Sequence, residues 1–293
     1  MVAMEGQTGS IVLDIDGTIT DGDHTIPLEV ANYLHRLVDR HWKIAFATGR
    51  SLSSSSLVTS SLRFPFLLAI HNGAELFKMP QRESLRKKHF GLDVVFELDR
   101  LCQEAPEDFI LYVGHEKGDG CYYRPDQFSE GFRGYFEELQ KLSPGPWCPI
   151  RSFEEVDASS QFPLAKYLGS LPCLCSLQEK LRSLDSVQVS LIQNPPNPFC
   201  SLLLITHREA HKGAIVEYLK EEGLISSPVI VAGNDFNDLP LLRAGEVKIS
   251  MEDAPEELRA AADILAPSSL EKGIIPALEK AIRMVDPSWG LSL

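Results

Sequence analysis

The 293-residue sequence predicts an α/β fold. The expected core is Rossmann-like, a doubly wound parallel sheet made from residues 1–87 and 208–293, with an α+β cap inserted over 88–207. Three observations predict it. Short, wholly apolar runs alternate with helical periodicity on both sides of the interruption, as strands buried on both faces of a parallel sheet do. Several runs close on acids, hydroxyls or glycine, as a strand feeding a ligand-binding loop does. The middle of the chain drops this alternation for several strand patterns separated by loops rich in proline and glycine.

The elements follow in order. Ile11-Val12-Leu13 predicts the first strand, closing on Asp14-Ile15-Asp16-Gly17-Thr18. Apolar spacings of three and four from Pro27 through Val30, Leu34, Leu37 and Val38 predict a helix. Residues 44–47 form the next strand, closing on Thr48-Gly49-Arg50. A serine-rich helix is expected over 51–62, then a strand over 67–70 that ends at His71-Asn72-Gly73. Strand–helix–strand repetition implies right-handed crossovers and therefore parallel pairing. Within the insert, strands are expected over 109–113, 121–124, 164–168, 187–192 and 201–205, and helices near 91–104, 128–142 and 174–184. The core resumes with a helix over 210–222, stopped by Gly223. A strand over 229–232 leads into Gly233-Asn234-Asp235-Phe236-Asn237-Asp238. Pro240 then opens a helix that ends at Gly245, and strands over 247–250 and 263–266 complete the sheet.

Composition narrows the possible partners. A formal net charge of −13 disfavours nucleic acid and anionic membrane surfaces. It would also repel a phosphate ester, so any phosphate site must be local, built from a cation, backbone N–H groups and a few basic side chains. No run of 18 apolar residues exists to span a membrane, and residues 1–10 lack the apolar stretch of a secretory signal. A cytoplasmic protein is therefore expected. The six cysteines, irregularly spaced, are expected to be free thiols, buried or half-buried. Cys173 and Cys175 resemble half of a metal site, but no matching pair follows them. The sequence leaves the oligomeric state unknown.

Chemistry gathers at the strand ends. Asp14 and Asp16, two residues apart, share a face and repel each other unless a cation lies between them. Mg²⁺, a hard ion that prefers oxygen ligands, suits such a place. Lys212 opens a helix, although helix N-termini favour anions, a position that makes sense beside a bound phosphate. The stretch from Asn234 to Asp238 reads equally as a turn with an N-cap and as a set of metal-binding oxygens. Thr48-Gly49-Arg50 by itself is a common strand ending. All of these fall, in order, at one edge of the expected sheet.

Taken together, Asp14-x-Asp16-Gly17-Thr18, Thr48-Gly49-Arg50, Lys212-Gly213 and Gly233-Asn234-x-x-Asn237-Asp238 resemble the four ordered motifs of the haloacid dehalogenase superfamily. The large insert between the second and third motifs resembles the Cof-type branch with its α+β (C2-type) cap. His71-Asn72-Gly73-Ala74 resembles a signature of that branch. The resemblance implies a Mg²⁺-dependent phosphohydrolase acting on a small phosphorylated metabolite, such as a sugar phosphate, with neither nucleic acid nor membrane as partner. It implies that Asp14 is the nucleophile, forming an aspartyl-phosphate, and that Asp16 is the acid and then the base. Lys212 would neutralise the nucleophile and the transferring group. Thr48, Gly49, Arg50, Asn72 and Asn237 would hold the substrate. Mg²⁺ would bind Asp14, the Asp16 carbonyl and the loop of Asn234, Asp235 and Asp238.

The chain departs from the family where Asn234 replaces an acid that usually ligates the metal. Asp235 substitutes if the loop turns differently, and Asp238 holds either the metal or Lys212. Two other readings remain open at this stage. A phosphomutase resembling phosphomannomutase would need several basic residues in the cap, for which Arg124, Arg133, Arg151 and Lys166 are candidates. A phosphate- or metal-binding module without catalysis has only Asn234 in its favour.

Overall fold

The computed structural model describes residues 8–142, 145–192 and 201–289, with backbone alone at 133, 135, 137, 138, 141 and 142. Residues 1–7, Cys200 and the Arg133 side chain lie outside the described part. In β1 (Gly9–Leu13), successive side chains leave the strand on opposite sides. Ile11 and Leu13 join one core, and Val12 joins another. The pattern repeats in β2 (Trp42–Ala47), after helix α1 (Leu28–Asp39), with Ile44 and Phe46 on the first side and Ala45 and Ala47 on the second. Strands apolar on both faces need cover on both, which is why these runs are continuous rather than alternating.

Helix α2 (Leu52–Val58), β3 (Phe66–Ile70), β4 (Glu75–Met79) and β5 (Glu83–Lys87) complete the first half of the core. The insert contains β6 (Phe90–Gly91), α3 (Leu92–Cys102), β7 (Phe109–Tyr112), β8 (Cys121–Tyr123), α4 (Glu130–Leu142) and β9 (Trp147–Pro149). It continues through β10 (Gln161–Phe162), β11 (Leu164–Gly169), α5 (Leu171–Leu181), β12 (Val187–Ile192) and β13 (Ser201–His207). The core resumes with α6 (Lys212–Glu221), β14 (Val229–Gly233), α7 (Leu239–Ala244), β15 (Val247–Met251), α8 (Glu256–Ala260), β16 (Ile264–Ala266) and α9 (Ile274–Val285).

The core sheet runs β16-β15-β14-β1-β2-β3-β4-β5, parallel from β16 to β3 and antiparallel at β4 and β5. Helices α1 and α9 cover one face through Val30, Leu34, Leu278 and Ile282, and α6 and α7 cover the other through Ile215, Leu219, Leu241 and Leu242. The chain leaves β1 toward β2 on one side and returns to β14 on the other. The loops after β1 and β14 therefore diverge and open a crevice at the carboxyl edge, where such sheets bind ligands.

The inserted sheet has the order β12-β13-β11-β7-β8-β9, antiparallel except between β8 and β9. One face, with Phe109, Leu111, Tyr167 and Leu203, packs on Leu98, Leu174 and Leu177 of α3 and α5. The other presents Ile110, Tyr112, Leu164, Leu202 and Leu204, and Phe132 and Phe136 of α4 pack against this apolar set. A short pair, β6 with β10, forms a separate two-stranded sheet.

Three expectations need revision. The hairpin of β4 and β5 extends the core sheet where no strand was expected, because its outer strand is largely exposed and carries charged residues rather than an apolar run. Helix α6 starts at Lys212, not at residue 210, because the His211 side chain accepts from the Ala214 N–H and caps it. Of the described thiols, Cys102 and Cys121 are buried and Cys173 is half-buried, but Cys148 and Cys175 are exposed. Cys148 lies on β9 at the sheet edge, and Cys175 sits away from the buried Leu174, Leu177 and Leu181 of its helix. Among the described residues no helix is long and apolar enough to cross a membrane.

Candidate active site

Period-two alternation carries Asp14 to the same side of the sheet as Val12, which is the side covered by α6. The Asp14 N–H still donates to the Ala232 carbonyl at 2.9 Å, so the β1–β14 ladder reaches the residue and fixes its direction. Lys212, the first residue of α6, is buried and donates to Asp14 Oδ1 and to Asp238 Oδ1, each at 2.5 Å. The second oxygen of Asp238 accepts the backbone N–H groups of Asn234 at 2.9 Å and Asp235 at 3.1 Å. Thr18 donates its hydroxyl to Asp14 Oδ2 at 3.1 Å.

Two buried carboxylates thus share one ammonium. Burial pushes the Asp14 carboxyl up to about 8, the charge of Asp238 adds to the effect, and Lys212 opposes it. Lys212 is held above its ordinary value, since the attraction of Asp14 and Asp238 outweighs its burial.

Asp16 faces elsewhere. Its carboxylate accepts from Arg50 Nε at 2.8 and 3.0 Å and from Arg50 Nη2 at 2.5 Å. The turn between the two aspartates and the loop after β14 is close-packed. Gly17 has φ +73°, and a Cβ there would lie 2.2 Å from Asn234 Nδ2. Only glycine provides both that backbone conformation and that approach. The Thr48 hydroxyl is buried and accepts the Arg50 N–H at 3.1 Å, so it braces the turn that aims the guanidinium.

Behind this edge, His71, Asn72 and Gly73 have φ values of 48°, 58° and 101°, a run of left-handed residues. Such backbone is costly for non-glycine residues and needs strong local support. The Asn72 N–H donates to the Thr48 carbonyl at 2.8 Å, and its side chain accepts from Asn237 Nδ2 at 3.2 Å and donates to Ser190 Oγ at 3.2 Å. Asn72 therefore ties two core strand ends to the inserted sheet. Nearby, the buried Glu75 lies 3.0 Å from His89 Nε2, 3.7 Å from His71 Nδ1 and 3.6 Å from His115 Nδ1. Burial alone would raise its carboxyl, but His71 and His89 outweigh that and hold it far below the usual carboxylate range.

A cleft of about 690 Å³ separates the strand ends from the inserted sheet. Asp14, Asp16, Gly49, Arg50, Asn234, Asp235 and Asn237 line it from the core, whereas Thr48, Asn72, Lys212 and Asp238 lie behind its wall. The opposite wall, which includes Tyr112, Leu164, Lys166, Leu202 and Leu204, is mostly apolar. Of the basic cap residues singled out from sequence, Lys166 lines the cleft. Arg124 is tied to Asp99 and Asp108 and lies 4.3 Å over the Phe153 ring, and Arg151 is exposed. Tyr112 was not anticipated, because nothing in a strand pattern tells which face meets a second domain.

The donors fit a hard divalent cation. Asp14, Asp16, Asn234 and Asp235, which carry carboxylate and amide oxygens, line one crevice, and Asp14 and Asp238 share a single ammonium, which leaves excess negative charge. Among the described residues no three His, Cys, Asp or Glu side chains form a ready metal cage. Backbone, amide and substrate oxygens would have to share the coordination, as is usual for Mg²⁺.

Comparison with known proteins agrees with this architecture. A family model described as haloacid dehalogenase-like hydrolase matches residues 11–278. The phosphoglycolate phosphatase of Methanopyrus kandleri is 24% identical over 280 residues, spanning 95% of this chain and 99% of that protein. A solved haloacid dehalogenase-like hydrolase from Bacteroides thetaiotaomicron has a TM-score of 0.72 at 20% identity, covering 93% of this chain and 98% of the other. The subclass IIB sugar phosphatase BT4131 gives 0.72 at 21% identity with the same coverage, and both are likenesses of fold.

Proposed function

We propose that this chain, which belongs to the haloacid dehalogenase-like hydrolase family and is a phosphatase of its Cof-type branch, hydrolyses a small phosphate monoester through an aspartyl-phosphate on Asp14. The observation that carries the proposal is the position of Asp14. It closes the central strand at the switch point, faces the cleft and is oriented by Lys212 and Thr18.

In the first step a carboxylate oxygen of Asp14 attacks phosphorus, the bond from phosphorus to the ester oxygen breaks, and Asp16 protonates the departing oxygen. In the second step water attacks the same phosphorus and gives its proton to Asp16. The acyl-phosphate bond then breaks, releasing inorganic phosphate and the Asp14 carboxylate. Lys212 keeps its charge against Asp14 and Asp238 throughout and fixes the attacking group. Asp14, the Asp16 carbonyl and Asn234 or Asp235 would hold Mg²⁺, which when bound supplies positive charge to offset the phosphoryl oxygens. Gly49, Arg50 and Asn237 face the same space and are assigned to substrate. Thr48 and Asn72 act from behind the wall by shaping those loops.

Hydrolysis is favoured over mutase chemistry by the cap, because a bisphosphorylated intermediate would need several cations there. Arg124 is internally paired and Lys166 alone of the described basic cap residues lines the cleft. The test is rapid-quench labelling with a ³²P monoester in the presence of Mg²⁺. Acid-stable label on the native chain and none on Asp14→Asn, which keeps its fold by circular dichroism, is expected. Near-native turnover by Asp14→Asn would remove Asp14 as nucleophile.

A further inference from the structure

Lys166 stands where the strand pattern calls for an apolar residue. On β11 it alternates with Ala165 and Tyr167, which belong to the core beneath the inserted sheet, and shares its face with Leu164 and Leu168. Its cross-strand neighbours are Leu204 on β13 and Ile110 on β7. An ammonium set among four aliphatic side chains is costly unless something neutralises it, and burial pulls its pKa down to about 8. Among the described residues Lys166 makes no hydrogen bond or ion pair. Its contact is the Tyr112 ring, 5.0 Å from Nζ. A cation–π contact returns less than the burial of a charge costs. The side chain is half-buried and lines the cleft, whose other wall holds Asp14.

The site described above consumes one phosphoryl group on the core side, where Arg50 and Lys212 already provide cations. Lys166 is on the opposite wall, the side on which the leaving group must lie if phosphorus faces Asp14. Resting on the phosphatase reading, we infer that the leaving group of the substrate carries its own anionic group, a carboxylate or a second phosphate, that pairs with Lys166, while its carbon body packs on Leu164, Leu204 and Tyr112. Lys166 is thus a specificity-determining residue.

The test compares matched monoesters in the full-length protein with Mg²⁺. Phosphoglycolate is set against 2-hydroxyethyl phosphate, and fructose 1,6-bisphosphate against fructose 6-phosphate. In the native chain at least one anionic member is expected to exceed its neutral counterpart in kcat/KM. Lys166→Met is expected to lower kcat/KM for that member by about ten- to a hundredfold and to change the neutral one by less than about threefold, the range expected for losing a charged hydrogen bond. Lys166→Arg should keep the preference. The pair in which the preference appears separates carboxylate from phosphate. Equal losses on both members, no loss on either, or a native preference for the neutral members would overturn the inference while leaving the phosphatase reading intact. Absence of turnover on any monoester would instead remove that reading, and this inference with it.

Discussion

Arg50 grips Asp16 side-on, with Nε at 2.8 Å from Oδ2 and Nη2 at 2.5 Å from Oδ1, while Asp14, two residues earlier, is turned the other way onto Lys212 at 2.5 Å. The two carboxylates, both at the cleft, are thereby given different partners and different exposure, Asp14 buried and Asp16 partly open to solvent. Environment, rather than residue type, assigns their chemistry.

The first prediction concerns Asp16. Its carboxylate is held by Arg50 and must part from the guanidinium to reach a departing oxygen. Asp16→Asn should lower single-turnover phosphorylation by an alkyl phosphate about a hundred- to ten-thousandfold. Loss with p-nitrophenyl phosphate should be clearly smaller, since that leaving group needs no proton. Equal losses on the two substrates would argue that Asp16 is not the leaving-group acid.

Among the described residues Lys212 is the one ammonium between the buried Asp14 and Asp238, so its removal should act on stability as well as on rate. Lys212→Met leaves Asp14 and Asp238 without their shared cation, at a cost of about 3–5 kcal/mol in urea unfolding at neutral pH. Turnover should fall with it. A midpoint close to native would mean that the acids do not depend on this cation.

The loop after β14 can be tested by magnesium titration. Asp235 accepts the Phe236 N–H at 2.7 Å as the cap of a short helical turn, whereas Asn234 packs against Gly17 at the cleft wall. If Asn234 is the ligand, Asn234→Asp adds a charge to the coordination shell and lowers the Mg²⁺ concentration for half-maximal activity. Asp235→Asn should then leave that concentration nearly unchanged. A raised requirement in Asp235→Asn alone would transfer the role to Asp235.

Glu75 gives a pH-dependent prediction away from the chemistry. Its folded carboxyl lies below the unfolded value of about 4.3, so it contributes stability above that pH and loses it as pH falls toward the folded value. Glu75→Gln should therefore melt below the native chain at pH 7 and pH 5, with the gap narrowing at pH 3.5. A gap that widens on acidification would show that the three histidines, not the carboxylate, set the behaviour of this cluster.

Much of the core was legible because its signals are local. Ile11-Val12-Leu13 reads as a doubly buried strand from three residues, and Gly17, Pro240 and Gly245 punctuate loops by their own backbone limits. The hairpin of β4 and β5 was not legible, since edge strands carry charged side chains and lack the apolar run. The roles of Thr48 and Asn72 were not separable from those of Arg50 and Asn237, because a sequence shows that residues reach one sheet edge but not which lie in front.

The sequence by itself determined the apolar strands of the core and which acids, hydroxyls and cations stand at their ends. Tertiary structure alone decided their pairing. Lys212 meets Asp14 across 198 positions of sequence only because α6 packs on the side of the sheet to which strand alternation turns Asp14. Lys166 faces the cleft only because the inserted sheet presents that face and not the one holding Tyr167. Local periodicity sets the direction of a side chain relative to its own strand, but the partner it meets depends on crossovers and register, which bring distant segments together through the burial of the whole core.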